Sequence, residues 1–208
     1  MSIDSFFDAA ARARVEAAVK AAELKTSGQI VPVVVEHSAN YHAFEVTLGL
    51  AASAALLATA VGALIEPGRA APLGVALLTL AVGLSLWSPL SRLLVRHEFA
   101  EAVRRRALVA FVEHDLTQAR DHSGVLVFAS IYERQVVVFG DRGVHEKLGE
   151  ARWQEGRDLL LAGIRRGDPA DGFCQAIARL GEEMARVFPR GADSAGNELP
   201  DQLHVEPA

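Results

Sequence analysis

Apolar residues fall along this chain in distinct rhythms, and the changes of rhythm divide it into elements. From Ser5 to Lys25 the side chains Phe7, Ala11, Val15, Val19 and Ala22 recur at steps of three and four, so they share one face of a helix. That helix is predicted to stop at Thr26-Ser27-Gly28, where glycine can take the left-handed conformation that closes a helix. Gln29 to Glu36 is then a β-branched run typical of a strand buried on both faces. Pro32 lacks an N–H, which places that part of the strand at an edge or a bulge. After it come two long apolar stretches, Val46 to Ile65 and Ala70 to Ser91, separated by Glu66-Pro67-Gly68-Arg69 and free of charged side chains. At 1.5 Å per residue each matches the roughly 30 Å hydrocarbon thickness of a bilayer, so the pair predicts a two-helix transmembrane hairpin.

Helical spacing returns from His97 to Arg120, where Phe99, Val103, Ala107 and Phe111 form one stripe and charged residues fill much of the rest. Asp121-His122-Ser123-Gly124 breaks it. Val125 to Ser130 and Gln135 to Gly140 are two further strands, and the short turn around Tyr132-Glu133-Arg134 between them permits only an antiparallel hairpin. The first and second strands are joined through a helix and are free to run parallel, so the sheet is predicted to be mixed. Asp141-Arg142-Gly143 turns into a short helical piece ending near Leu148. Helices follow at Glu150 to Arg166 and Gly172 to Phe188, separated by the stop and restart signal Gly167-Asp168-Pro169. From Arg190 onward the residues are mostly polar and cannot bury enough surface to order alone. No internal repeat is evident.

Two spans return the chain to the side it left, so the pieces before and after them share a compartment and can fold together. The organisation expected is one discontinuous α/β domain of residues 1–42 and 97–189, a hairpin at 43–95 inserted after the first strand, and a polar tail at 190–208. Basic residues set the orientation: the connecting loop holds only Arg69, whereas Arg92, Arg96, Arg104, Arg105 and Arg106 follow the second span. Both termini and the soluble domain are therefore expected on the cytoplasmic side of the plasma membrane. The triple arginine completes the polar face of its helix, enforces that topology, the reading favoured here, or binds anionic lipid headgroups at about 1 kcal/mol per residue.

Composition narrows the chemistry. The 208 residues carry a net charge of −5, with charges interspersed and no basic block besides Arg104-Arg105-Arg106, which argues against a nucleic-acid ligand. Cys174 is the only cysteine, so there is no intramolecular disulfide and no zinc-finger pattern. Its place near the apolar stripe of the last helix predicts a buried, inert thiol. The first residues lack the basic and apolar regions of a signal peptide.

A cation site for Ca²⁺ or Mg²⁺ needs converging oxygen ligands. Asp121 opens the second strand and Asp141 closes the third, so an antiparallel pairing sets both on one rim of the sheet, while Glu133 in the turn belongs to the opposite rim. Asp121 and Asp141 are the candidate metal pair. The simpler reading makes both of them turn residues that hydrogen-bond locally. His114 and His122, with Asp115 and Asp121, match no recognised metal spacing. Ser123-Gly124 lacks the turn that exposes a nucleophile, and Gly140-Asp141-Arg142-Gly143 is too short to cradle a phosphate.

Ser-Gly-Val-Leu-Val-Phe at 123–128, Glu133-Arg134 before a valine run, Asp141-Arg142-Gly143-Val144, Trp153 and Arg166-Gly167-Asp168 together resemble the TPM domain family. Gly28-Gln29-Ile30-Val31 and Asn197-Glu198-Leu199-Pro200-Asp201 extend the resemblance over most of the soluble portion. It implies a three-layer α/β sandwich with a small mixed sheet between helices. The family includes a thylakoid-lumen protein described as a candidate acid phosphatase, members that bind divalent cations through acidic loops, and membrane-associated assembly or quality-control factors. The function expected is thus a membrane-anchored binding, assembly or maintenance module with membrane lipid and a membrane protein as partners. The alternative is a divalent-cation-dependent phosphatase-type hydrolase at the acidic rim. Substrate, partner identity and oligomeric state are not encoded in these patterns.

Overall fold

A computed structural model of the chain describes residues 3, 6–39, 53–54, 57, 61, 96–191 and 199–206. By its internal contacts the chain divides into one unit of residues 1–39 and 100–208 and another of residues 40–99. The predicted spans Val46 to Ile65 and Ala70 to Ser91 lie outside the described residues, apart from Ser53, Ala54, Leu57 and Val61, which are helical. Among the described residues no helix is long and apolar enough to cross a membrane.

The larger unit is an α/β fold around a mixed four-stranded sheet. Its elements are α1 (Ala9–Glu23), β1 (Gln29–Val35), α2 (Arg96–Glu113, which begins in the other unit), β2 (Gly124–Ser130), β3 (Gln135–Gly140), α3 (Arg142–Leu148), α4 (Glu150–Arg166), α5 (Pro169–Val187) and β4 (His204–Glu206). Strand order is β3-β2-β1-β4. β1 runs parallel to β2 and β4, and β2 pairs antiparallel with β3, as the turn length requires. Helix α1 starts later than the apolar spacing suggests because Asp8 caps it, its carboxylate accepting from the Ala11 N–H at 2.7 Å. Helix α2 stops at Glu113 rather than Arg120. Asp115 takes a left-handed backbone (φ 56°), and two short 3₁₀ turns then carry the chain to β2.

Alternation along the strands builds two cores. Ile30, Val34, Val125, Val127 and Ala129 face α1, α4 and α5, where Val15, Val19, Leu160, Phe173, Ile177 and Met184 are buried. Val31, Val33, Val35, Leu126 and Phe128 face Val103, Ala107 and Ala110 of α2. Every residue of β1 and β2 is buried, as the β-branched runs predict.

β1 is a central strand, but the side on which Pro32 lies has no neighbouring strand at that residue, the local edge its missing N–H predicts. Its odd residues direct their backbone groups toward β2, as Gln29 N–H to Ser123 O (3.2 Å) shows, and its even residues face the β4 side, as Glu36 N–H to Glu206 O (3.4 Å) shows. β4 lies opposite only Val33 to Val35, so Pro32 sits where that side is still uncovered and no donor is missed. The tail does not remain a polar appendage. Leu203 is buried, Leu199 N–H donates to the Gln29 side chain at 3.1 Å, and residues 204–206 complete the sheet. The tail's own composition could not order it; the open side of β1 does.

Helices α4 and α5 approach most closely at two glycines. A Cβ on Gly163 would collide with the Cα of Gly172 and lie 2.7 Å from its nitrogen. Gly163→Ala is therefore expected to lower the urea midpoint of unfolding, at a cost of about 1–3 kcal/mol for overpacking, even though alanine favours helix by about 1 kcal/mol.

Candidate functional site

The ladder between β2 and β3 places Val125 opposite Gly140, which brings Asp121 and Asp141 to one rim. Asp141 is already engaged there. Its Oδ1 accepts from the Arg142 N–H at 2.7 Å and caps α3, and its Oδ2 lies 2.9 Å from His122 Nδ1. Asp121 occupies a left-handed backbone position (φ 55°) and is exposed, with its carbonyl packed over Gly143, where a Cβ would collide. Among the described residues no group of three or more His, Cys, Asp or Glu side chains could hold a metal. Glu133 lies at the other end of the hairpin. Buried there, it accepts from Ser130 Oγ and from Ser38 N–H at 2.9 Å, tying the turn to the segment after β1. His114 stacks on His204 with ring centroids 4.1 Å apart.

The arginines separate in their surroundings. Arg104 stands 5.9 Å from the centroid of the Phe139 ring. Arg106 pairs with Glu113 at 2.9 Å and with Glu206 of β4, so it fastens the tail strand to α2. Arg105 is exposed, Arg96 begins α2, and Arg92 lies outside the described residues.

A groove of about 480 Å³ runs along β3 between α2 and α4. Val136 to Gly140 form its floor, Val103 and Arg104 one wall, and Trp153, Gln154 and Arg157 the other, with His145 at its border. Among the described residues β3 has a single neighbouring strand, β2, so its outer side is an unpaired strand edge. Asp141 N–H donates to Gly124 O at 2.8 Å, which by the alternation of an antiparallel ladder turns Val136, Val138 and Gly140 outward. Gly140 allows the Trp153 ring to lie against the strand, since a Cβ would come 2.7 Å from it. Trp153 is 8% exposed, and its indole Nε1–H has no acceptor among the described residues. Such an orphaned donor costs about 1–3 kcal/mol. The sequence sets Trp153 within the helix Glu150 to Arg166; the strand edge beside it follows only from the strand order.

Other buried charge is structural. Glu183, 1% exposed, is bracketed by Arg152, Arg179 (2.8 Å) and Arg186 (2.9 Å). Glu23 accepts from the Ile30 N–H at 2.8 Å. Burial pushes its carboxyl up to about 8, the hydrogen bond from Ile30 opposes that rise, and the neighbouring Asp201 of the tail adds to it. Burial likewise pushes the half-buried Cys174 thiol up, away from the reactive range.

No family model matches the chain. Imidazolonepropionase of Paracoccus denitrificans (strain Pd 1222) is 41% identical over 56 residues, 24% of this chain. The chain spans only 13% of that protein's length, so the likeness is local. The NMR structure of BA42 protein from the psychrophilic bacterium Bizionia argentinensis matches with a TM-score of 0.64 at 17% identity, over 99% of each chain. At that identity the likeness establishes a shared fold and nothing of activity.

The Glu23 carboxyl carries a pH prediction. Its folded value of about 8 exceeds the 4.5 of an ordinary glutamate, so between these limits the folded state holds a proton that the unfolded state has lost. Its contribution is complete below pH 4.5 and declines as pH rises to about 8, with a slope of at most about 1.4 kcal/mol per pH unit. Glu23→Gln keeps an acceptor for Ile30 and a donor toward Asp201 without the titration. Urea unfolding at pH 5, 6.5 and 8 is expected to show the variant gaining on wild type as pH rises.

Proposed function

We propose that this chain is a membrane-anchored, TPM-like α/β module that binds a membrane-protein partner and assists its assembly or maintenance, without strong catalysis of its own. The groove beside β3 carries this reading. It offers two arginines and an unpaired strand edge with His145 at its border, and among the described residues no carboxylate, cysteine or serine lines it. Two arginines beside an unpaired strand edge suit the holding of a ligand. In this reading the apolar stretches Val46 to Ile65 and Ala70 to Ser91 form a transmembrane hairpin between β1 and α2, and the arginines after it keep the α/β unit in the cytoplasm. The family resemblance through Asp141-Arg142-Gly143 and Trp153 supports the same assignment.

The hydrolase alternative, with Ca²⁺ or Mg²⁺ at Asp121 and Asp141, is weakened by the occupation of both Asp141 oxygens. A cation recruited there would have to displace a helix cap and a histidine.

Three measurements test the proposal. The chain is expected to stay in the membrane fraction after carbonate extraction, and release into the supernatant would refute the anchor. Purified protein is expected to turn over no phosphomonoester with Mg²⁺, Mn²⁺ or Ca²⁺, and none of these cations should raise its melting temperature. Asp141→Ala is expected to cost about 1 kcal/mol of stability through the lost cap and nothing else. Metal-dependent turnover that vanishes in Asp141→Ala would establish the hydrolase instead.

A further inference from the structure

We infer that the groove beside β3 takes an extended segment of a partner protein as an added strand, and that this segment carries acidic side chains on both of its faces. The inference rests on the binding-module reading and names the ligand class that reading leaves open.

The backbone sets the form of the ligand. Val136, Val138 and Gly140 point N–H and C=O groups away from β2, the alternating donors and acceptors that a peptide strand pairs with. A compact ligand could meet the arginines but would leave most of that row unused.

The side chains set its chemistry. Val137 and Phe139 belong to the core on the α2 face, while Val136 and Val138 belong to the core beneath the other helices. Arg104 of α2 and Arg157 of α4 therefore flank the same edge from opposite faces of the sheet. An incoming strand alternates in the same way, so residues of one parity meet Arg104 and those of the other meet Arg157, Gln154 and Trp153. Two acidic residues an odd number of positions apart satisfy both arginines. Among the described residues Arg157 has an exposed contact to Asp158 at 3.4 Å and no other acidic partner, and no acidic side chain lines the groove.

Charge also selects against a second copy of this chain. Pairing β3 with β3 across a two-fold axis would set the arginines of one copy against those of the other, a like-charge arrangement that suppresses the contact. An acidic strand from another protein meets no such penalty.

The test uses the full-length chain, ¹⁵N-labelled in phosphatidylcholine nanodiscs, and follows the indole N–H resonance of Trp153, assigned by its loss in Trp153→Phe. Three blocked Thr/Val octapeptides serve as probes: one with two glutamates three positions apart, an isomer with them two apart, and the first peptide N-methylated at alternate amides. The odd-spaced peptide is expected to shift the resonance saturably, the isomer to bind several-fold more weakly, and the N-methylated peptide not to bind. Combining Arg104→Glu with Arg157→Glu should weaken binding at least tenfold. Val138→Pro, which removes one outward N–H and spares the ladder to β2, should weaken it similarly with the melting profile retained.

Equal binding of the N-methylated peptide would overturn strand addition, and equal binding of the isomer would overturn the two-faced acidic requirement. If inorganic phosphate or phosphatidylglycerol vesicles shift the resonance at lower concentration than any peptide, the groove is a small-anion or headgroup site and the inference fails. Should either variant not fold, the peptide comparison on wild type decides alone. Absence of peptide binding in a chain that stays membrane-bound and hydrolyses nothing removes strand addition but leaves the module reading intact. Metal-dependent turnover removes the module reading itself.

Discussion

The fold depends on satisfying the backbone of one buried strand. All seven residues of β1 are buried, so each of its N–H and C=O groups needs a partner within the protein. β2 covers one side along the whole length of the strand. The other side is assembled from pieces: Glu23 reaches over from the end of α1 to take the Ile30 N–H, Pro32 has no N–H to offer, and β4 pairs from Val33 onward. Each piece is explicable only with the others in place. Proline is harmless at residue 32 because β4 begins one residue later, and a carboxyl is buried at residue 23 because an amide there has no strand to meet.

That arrangement gives the tail its importance. Residues 204–206 form a short, partly exposed strand that would not persist alone. It is held by main-chain pairing to β1, by Leu203 in the core, and by Arg106 reaching Glu206 from α2. Glu23 and Asp201 add a shared interaction at the same junction. Buried carboxylates recur as ties in this protein: Glu133 braces the β2–β3 turn and Glu183 joins α4 to α5 through Arg152. Removing one partner of such a pair leaves the other desolvated and uncompensated, so these acids are expensive to lose whatever the net worth of each pair. Acidic residues employed in this way are not free to act on a substrate.

What the amino-acid pattern revealed follows from the range of the interactions involved. Strands β1 and β2 were legible because both of their faces are buried, which leaves uninterrupted β-branched runs. The antiparallel β2–β3 pair was legible from its short turn, and the shared rim of Asp121 and Asp141 followed from that pairing. β4 was not, since His204-Val205-Glu206 carries too little apolar content to stand out and its partner lies far away in sequence. The end of α2 was misplaced because Leu116 and Ala119 continue the apolar content while Asp115 turns the backbone left-handed. At the rim the residue types suit a turn as well as a ligand set, and only the fold shows that Asp141 spends both oxygens on a cap and a histidine. The groove was invisible for a related reason: which strand ends a sheet depends on the order of all four.

An edge strand is ordinarily a hazard, because its unpaired backbone invites other chains, and proteins blunt such edges with charge. Arg104 and Arg157 can be understood in those terms, one on each face of β3, repelling a second copy of the same surface. The same pair makes the edge selective instead of merely guarded. A charge that disfavours self-pairing favours any strand of opposite sign, so protection and recognition come from the same two residues.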